Sequence, residues 1–226
     1  MKYVISLGGS LIIPKEIDVN FLKRFSVIVK DLIKKGNSVV LVCGGGSIAR
    51  KYISVVTKMK FKKNFESLVG IETTKLNASL VASFFGKFHL LPDSLNDVYA
   101  ELKKDKIVVC GALGFQPKMT SDGDAAMIAQ YINADYFINL TNIDGLYDKN
   151  PAVKGAKQIS NISFKKFDRI VSKINYKAGQ HFVLDQAAAK IIMKEKIETV
   201  ILKGSDLKNL ERFFSKKSFI GTVING

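Results

Sequence analysis

The chain reads as an α/β protein, a three-layer αβα sandwich around a mainly parallel sheet. Near-continuous apolar runs such as Val39–Cys43 and Lys106–Cys110 have the character of strands buried on both faces. Segments of helical apolar periodicity alternate with such strands along the whole chain, with no linker, repeat or low-complexity tract between them. Several strands also run straight into glycine-containing turns, at the strand ends where open α/β sheets gather their ligands.

Lys2–Leu7 is the first expected strand, ending in Gly8-Gly9-Ser10. Asp18 or Asn20 can cap a helix that runs to Lys35, with Phe21, Phe25, Ile28, Val29, Leu32 and Ile33 on its apolar side and Gly36 as its stop. Val39–Cys43 enters Gly44-Gly45-Gly46, after which Ser47 can cap a helix carrying Ile48, Tyr52, Ile53 and Val56 on one side. Asn64 opens the next expected helix, closed by Gly86, and Lys87–Leu91 follows as a short strand. Pro92 and Ser94 begin a helix to about Lys104, before the strand Lys106–Cys110. The loop Gly111–Asp124 leads into a helix through Ala125, Ala126, Ile128 and Ile132, then a strand Asp135–Leu140 and a turn-rich loop to Pro151. Ser163 caps a helix to about Ile174, and Leu184–Lys196 is an alanine-rich helix. Thr199–Lys203 is a strand, Ser205 caps a helix to about Lys216, and Gly221–Asn225 is expected as an edge strand.

With 226 residues, 47% of them hydrophobic, the chain can bury the core of one large α/β domain. A single domain over 1–226 is expected. No apolar run approaches the ~20 residues of a membrane span, and Met1–Leu7 is too short for a signal peptide. Cys43 and Cys110 both end apolar strands; two buried thiols fit a reducing cytoplasm better than a disulfide. Only His89 and His181 are histidines, which argues against His-rich zinc chemistry, and no protein-bound metal is expected. A net charge of +15 attracts phosphorylated molecules. Apart from Lys58-Met59-Lys60-Phe61-Lys62-Lys63, the lysines are spread over helix faces, the pattern of a solvated surface rather than a nucleic-acid stripe.

The glycine turns carry the chemistry. Glycine lets backbone approach a ligand closely, and free N–H groups at a helix start point at an anion. Three glycines exceed what a plain strand-to-helix turn requires, although such a turn is the simpler reading of any one of them. Arg50 could add a charged contact to a phosphate or stay solvated. No G-x-x-x-x-G-K-[ST] occurs, and no G-x-G-x-x-G follows the first strand, so neither a P-loop kinase nor a dinucleotide dehydrogenase fits. Separate nests of N–H gathered along one sheet edge would instead suit phosphoryl transfer, which needs positioning and charge neutralisation more than a covalent nucleophile.

Leu7-Gly8-Gly9-Ser10, the run Gly44–Ile53 and the run Thr141–Tyr147 together resemble the amino acid kinase superfamily. Gly70–Ala78 and Ala188–Ile192 narrow the resemblance to its uridylate kinases in their archaeal form, and it is colinear from Met1 to about Gly226. It implies an enzyme that moves the γ-phosphoryl group of ATP, with Mg²⁺, to UMP. Carried over, Gly8, Gly9 and Ser10 hold ATP phosphates together with Gly46 and Arg50, and Thr141, Asn142, Tyr147 and Asn150 line the adenosine pocket. Gly45 meets the UMP phosphate, Ser67 occupies the ribose-binding position, and Phe115, Gln116, Pro117, Lys118, Met119, Thr120 and Ser121 form the UMP loop. Lys190 neutralises the transferring group, and with Arg50 and Gly9 it makes up the implied catalytic set. The resemblance also implies a homo-oligomer, a hexamer built as a trimer of dimers, with the helix of Asn64–Phe85 as a contact.

The chain departs from that pattern at several places. Ser6 stands where many relatives have a lysine, and Ser67 where the family has the acid that binds the ribose hydroxyls. Asn150 replaces the aspartate that usually precedes the proline, Lys118-Met119 replaces a glycine and a polar residue, and Asp122-Gly123-Asp124 is unusually acidic. These changes bear on the acceptor more than on ATP. A kinase of the same superfamily for a carboxylate or an isoprenoid phosphate therefore stays open, as does a catalytically weak nucleotide-binding protein. The isoprenoid enzymes are disfavoured, because they have a histidine after the triple glycine and Ser47–Tyr52 contains none.

Overall fold

The computed structural model describes residues 1–87, 91–114, 119–151, 153–172 and 184–226. Strand β1 (Lys2–Leu7) is followed by a short helix α1 (Gly9–Ile12) and the long α2 (Val19–Lys34). Of the two expected caps it is Asp18 that serves α2, its carboxylate accepting from the Phe21 N–H at 2.9 Å. Strand β2 (Ser38–Cys43) leads to α3 (Gly46–Lys58) and α4 (Lys63–Ser83), and α5 (Leu95–Lys104) precedes β3 (Ile107–Cys110). Then come α6 (Ser121–Tyr131), β4 (Tyr136–Thr141), the small strands β5 (Leu146–Tyr147), β6 (Gln158–Ile159) and β7 (Asn161–Ile162), and α7 (Phe164–Ser172). The chain closes with α8 (Gln186–Glu195), β8 (Thr199–Lys203), α9 (Leu207–Phe214) and β9 (Thr222–Ile224).

Seven strands form one sheet in the order β3-β2-β1-β4-β8-β9-β7, and β5 pairs with β6 apart from it. The five strands from β3 to β8 are parallel, while β9 runs antiparallel to β8. Alternation along the strands feeds two cores. Tyr3, Ile5, Leu7, Val39 and Leu41 face one side, with Phe25, Val29 and Val81 from α2 and α4. Val4, Val40, Val42 and Val108 face the other, with Ala126, Ile128, Ala189 and Ile192 from α6 and α8. Helices on both faces of a mainly parallel sheet make the expected three layers. Cys43 and Cys110 are buried free thiols, and burial pushes both well above the ordinary thiol range.

Several local expectations are corrected. Ser47 does not cap α3: Gly45 holds the cap position, and the Ser47 hydroxyl donates to the Ile13 carbonyl at 2.9 Å. The glycine turn itself sets where that helix begins. Helix α4 starts at Lys63 without a side-chain cap, so Asn64 is already inside it. Asp206, not Ser205, caps α9, because its carboxylate reaches the Asn209 N–H at 3.0 Å. Helix α6 begins at Ser121, earlier than expected, with Thr120 as its cap. The last strand is not an edge: Val223 N–H donates to Ser160 and Asn225 N–H to Ile162, so β7 lies outside β9. The expected strand at Lys87–Leu91 and the end of the helix near Ile174 fall partly outside the described residues.

Candidate active site

Sheet order decides what meets at the C-terminal ends of the strands. The β3 exit (Gly111–Gly114), the β2 exit (Gly44–Gly46), the β1 exit (Gly8–Ser10) and the β4 exit (Thr141, Asn142) lie side by side in that sequence. Backbone bonds lace them together: Gly44 N–H donates to Leu7, Gly8 N–H to Leu140 and Gly204 N–H to Thr141. The Asn77 amide, buried on α4, donates to the carbonyls of Gly44 at 2.7 Å and Gly45 at 3.2 Å. Two glycines have no substitute here. A Cβ on Gly9 would stand 2.2 Å from the Gly46 nitrogen, and Gly46 itself has a φ of +62°. The first two glycine turns are thus pressed together backbone to backbone, which any side chain would prevent.

Helix α6 brings its N-terminus to this rim, and one carboxylate fixes it there. Asp185 Oδ2 accepts from the Thr120 N–H (3.0 Å), the Thr120 hydroxyl (2.6 Å) and the Gly123 N–H (3.2 Å). Its Oδ1 caps α8 through the Ala188 N–H at 2.7 Å. Beside it the Ser6 hydroxyl, a neutral donor, donates to Asp122 Oδ1 at 2.6 Å. Burial raises the Asp122 carboxyl to about 6; the Ser6 bond opposes that rise, and the charge of Asp185 adds to it. Burial likewise raises Asp124 to about 7, against a hydrogen bond from the Leu113 backbone.

These parts wall a cleft of about 760 Å³. At its β4 side lie Gly8, Gly9, Ser10, Thr141 and Asn142, and next to them Gly45 and Gly46 of the β2 exit; Arg50 on α3 and Thr120 and Ser121 at the start of α6 complete the wall. Ser67, Thr74, Ala112, Gly114 and Met119 line the β3 side. Arg50 is the one cationic side chain in the wall among the described residues. Glu66 and Ser67 both reach the cleft, and Glu66 accepts from the Thr57 hydroxyl at 2.8 Å. Backbone N–H groups, one guanidinium and several hydroxyls along a trough can hold a row of phosphate oxygens.

Of the residues expected at the site, Tyr147 (on β5), Asn150 and Lys190 do not line this cleft, and Lys190 is exposed on α8. Phe115, Gln116, Pro117 and Lys118 lie outside the described residues. Sequence reasoning missed Asp185, Asn77, Thr74 and the buried Asn139, and noted Asp122 and Asp124 only as acidity. Asp185 had a readable signal, an aspartate directly before the helical run Gln186-Ala187-Ala188-Ala189. Its bonds to α6 had none, because they join residues 62 and 65 apart.

An open parallel sheet with a glycine-walled trough at its strand ends, met by helix N-termini, is the build of an α/β protein that handles phosphorylated ligands. The chain belongs to the amino acid kinase family, whose model matches residues 1–203. It is 34% identical over 229 residues to a uridylate kinase of Methanococcus aeolicus, covering 100% of both chains. A uridylate kinase of Methanocaldococcus jannaschii is 34% identical over 230 residues, again across 100% of both. The crystal structure of uridylate kinase from Archaeoglobus fulgidus superposes with a TM-score of 0.87 at 33% identity, covering 99% of this chain and 100% of that one.

Proposed function

We propose that this chain transfers the γ-phosphoryl group of ATP to UMP, giving ADP and UDP. The observation that carries this reading is that three glycine turns and the start of α6 wall one cleft that also takes in Arg50. ATP takes the β4 side, its phosphates over Gly8, Gly9, Ser10 and Gly46, its adenosine toward Thr141, Asn142, Tyr147 and Asn150. UMP takes the β3 side, its phosphate at Gly45 and its nucleoside toward Ser67, Met119, Thr120, Ser121 and the 115–118 segment. On this reading the acceptor binds mainly to the N-terminal part of the chain and ATP mainly to the part from about 120. A UMP phosphate oxygen attacks the γ-phosphorus in line, and the bond to the ADP oxygen breaks. The backbone amides and Arg50 neutralise charge as it spreads over the equatorial oxygens. Lys190 is assigned to the transferring group on the family pattern, from the helix whose first turn Asp185 ties to Thr120.

At the ATP end the Ser10 and Thr141 hydroxyls are hard oxygen donors that suit Mg²⁺ carried in on the nucleotide's phosphates. Bound there, Mg²⁺ supplies Lewis-acid neutralisation of the phosphate chain. Two free buried thiols fit a cytoplasmic enzyme, and no helix among the described residues is long and apolar enough to cross a membrane. The outer surface of α3 and α4 leaves Tyr52, Val55, Met59, Phe65, Leu68 and Leu76 exposed. That supports self-association through this helix pair, with a hexamer of three dimers as the expected assembly.

A coupled ADP-release assay across UMP, CMP, dTMP, glutamate, carbamate and isopentenyl phosphate tests the reaction. Turnover should be fastest with UMP. A clear preference for a carboxylate or isopentenyl phosphate would replace UMP as the acceptor, and ATP binding without turnover on any of them would remove catalysis.

A further inference from the structure

Asp124 lies in the first turns of α6, 3% exposed, in the cleft wall beside Ala112 and Gly114 at the β3 exit. The Leu113 backbone N–H donates to its carboxyl, yet Oδ1 has no partner among the described residues. Among the described residues no cation offsets it, and the titratable groups acting on it and acted on by it are Asp185 and Cys110. The two nearby acids are provided for: Asp122 on α6 by Ser6, and Asp185 at the start of α8 by four donors. An unpartnered buried carboxyl oxygen is costly, and the alanines that follow (Ala125, Ala126, Ala129) are the residue type that would pack here without that cost. A carboxyl so placed, in the cleft wall with one oxygen that no described protein donor satisfies, fits a donor that arrives with a ligand.

Which donor follows from the sheet order, on the reading that UMP is the acceptor. The β3 exit is separated from the β4 exit by both glycine turns, so it receives the part of the acceptor farthest from ATP, the nucleobase. The pairing edge of uracil has carbonyl oxygens at C2 and C4 and a single N–H, at N3. We propose that Asp124 reads the acceptor's pyrimidine ring by accepting a hydrogen bond from N3–H. Cytosine has a lone pair at N3, which the ionised carboxylate repels, so above about pH 7 the same contact favours UMP over CMP. Sites built to bond a substrate N–H discriminate strongly against analogues that lack it.

The test compares the parent with Asp124→Val and Asp124→Asn, using UMP, 3-methyl-UMP, 2′-deoxy-UMP and CMP, by ADP release and by calorimetric binding. Asp124→Val should raise KM and Kd for UMP roughly 10- to 100-fold, the range for a hydrogen bond to a charged group, while the KM for ATP and kcat stay close to the parent's. Asp124→Asn, whose carbonyl oxygen can still accept, should fall between. The parent should disfavour 3-methyl-UMP by a similar factor, with no further loss in Asp124→Val, and 2′-deoxy-UMP should lose as much as UMP does. Unchanged UMP affinity in Asp124→Val, a fall in kcat alone, or a parent indifferent to the N3 methyl would overturn the assignment; loss confined to ribonucleotides would move the contact to the ribose. A parent that binds UMP but does not phosphorylate it would overturn the proposed reaction while leaving Asp124 to be judged on the binding data.

Discussion

Ser6 and Asp122 show how one neutral hydrogen bond acts on a buried acid in the cleft wall. The 2.6 Å bond from the Ser6 hydroxyl opposes the rise that burial imposes on Asp122, which sits at about 6. In Ser6→Ala that opposing bond is gone, so the Asp122 carboxyl carbon, followed by NMR, should titrate at a higher pH than in the parent. An unchanged midpoint would mean the hydroxyl does not govern this acid. Asp124 has the converse value for stability. Its folded carboxyl holds a proton up to about pH 7, whereas the ordinary value is 3.8. The folded state therefore binds the extra proton between those limits, and its stability falls as pH rises through them, with no further loss above. Asp124→Val removes that dependence, so its gain in Tm over the parent should be small near pH 4 and grow toward pH 8. A gain that is flat with pH would contradict the burial of this acid. Arg50→Ala should weaken phosphate binding by about 1.5–3 kcal/mol, read as a rise in Kd for an ATP analogue or UMP, and unchanged binding would remove Arg50 from the site.

The helices show which local rules could be read from the chain and which could not. Asp18 and Ser94 act as caps because an acidic or hydroxyl residue directly precedes a periodic run. The same rule fails at Ser47, where two glycine turns pressed together set the start of α3 and the hydroxyl is drawn to Ile13 in another segment. It fails again at Ser205, because Asp206 next to it has the longer reach to the Asn209 N–H. Asp185 is the most consequential residue that local reading left out, since it caps α8 and pins α6 together. Asp185→Ala should therefore cost about 2–4 kcal/mol in urea unfolding, a cap plus bonds from charged-group partners. It should also loosen Thr120, raising the KM for the acceptor. A cost below about 0.5 kcal/mol, the low end for a lost cap, would show that the tie between the two helices is dispensable.

For the molecule as a whole, the layer architecture was legible because strand alternation and helix periodicity are local. Val39–Cys43 announces a doubly covered strand by composition alone, and its neighbours bury it on both sides. Strand order was not legible. That β9 lies inside β7 depends on two backbone bonds to residues far back in the chain, which no local pattern encodes. The convergence of the glycine turns was expected from the parallel sheet, but their contact at Gly9 and Gly46 came only with the coordinates. The apolar surface of α3 and α4 belongs to this level too. Sedimentation should show an oligomer, and Leu76→Glu, at a position 65% exposed in the single chain, should shift it toward smaller species. A parent that sediments as a monomer at micromolar concentration would leave that surface unexplained.

The most direct test of the trough is calorimetry with adenosine and uridine joined 5′ to 5′ through a polyphosphate bridge. One molecule should bind per chain, more tightly than UMP or a non-hydrolysable ATP analogue alone, and each of those should displace it. If the joined compound binds no better than the stronger single nucleotide, or binds alongside both, the two phosphate chains do not meet in this cleft.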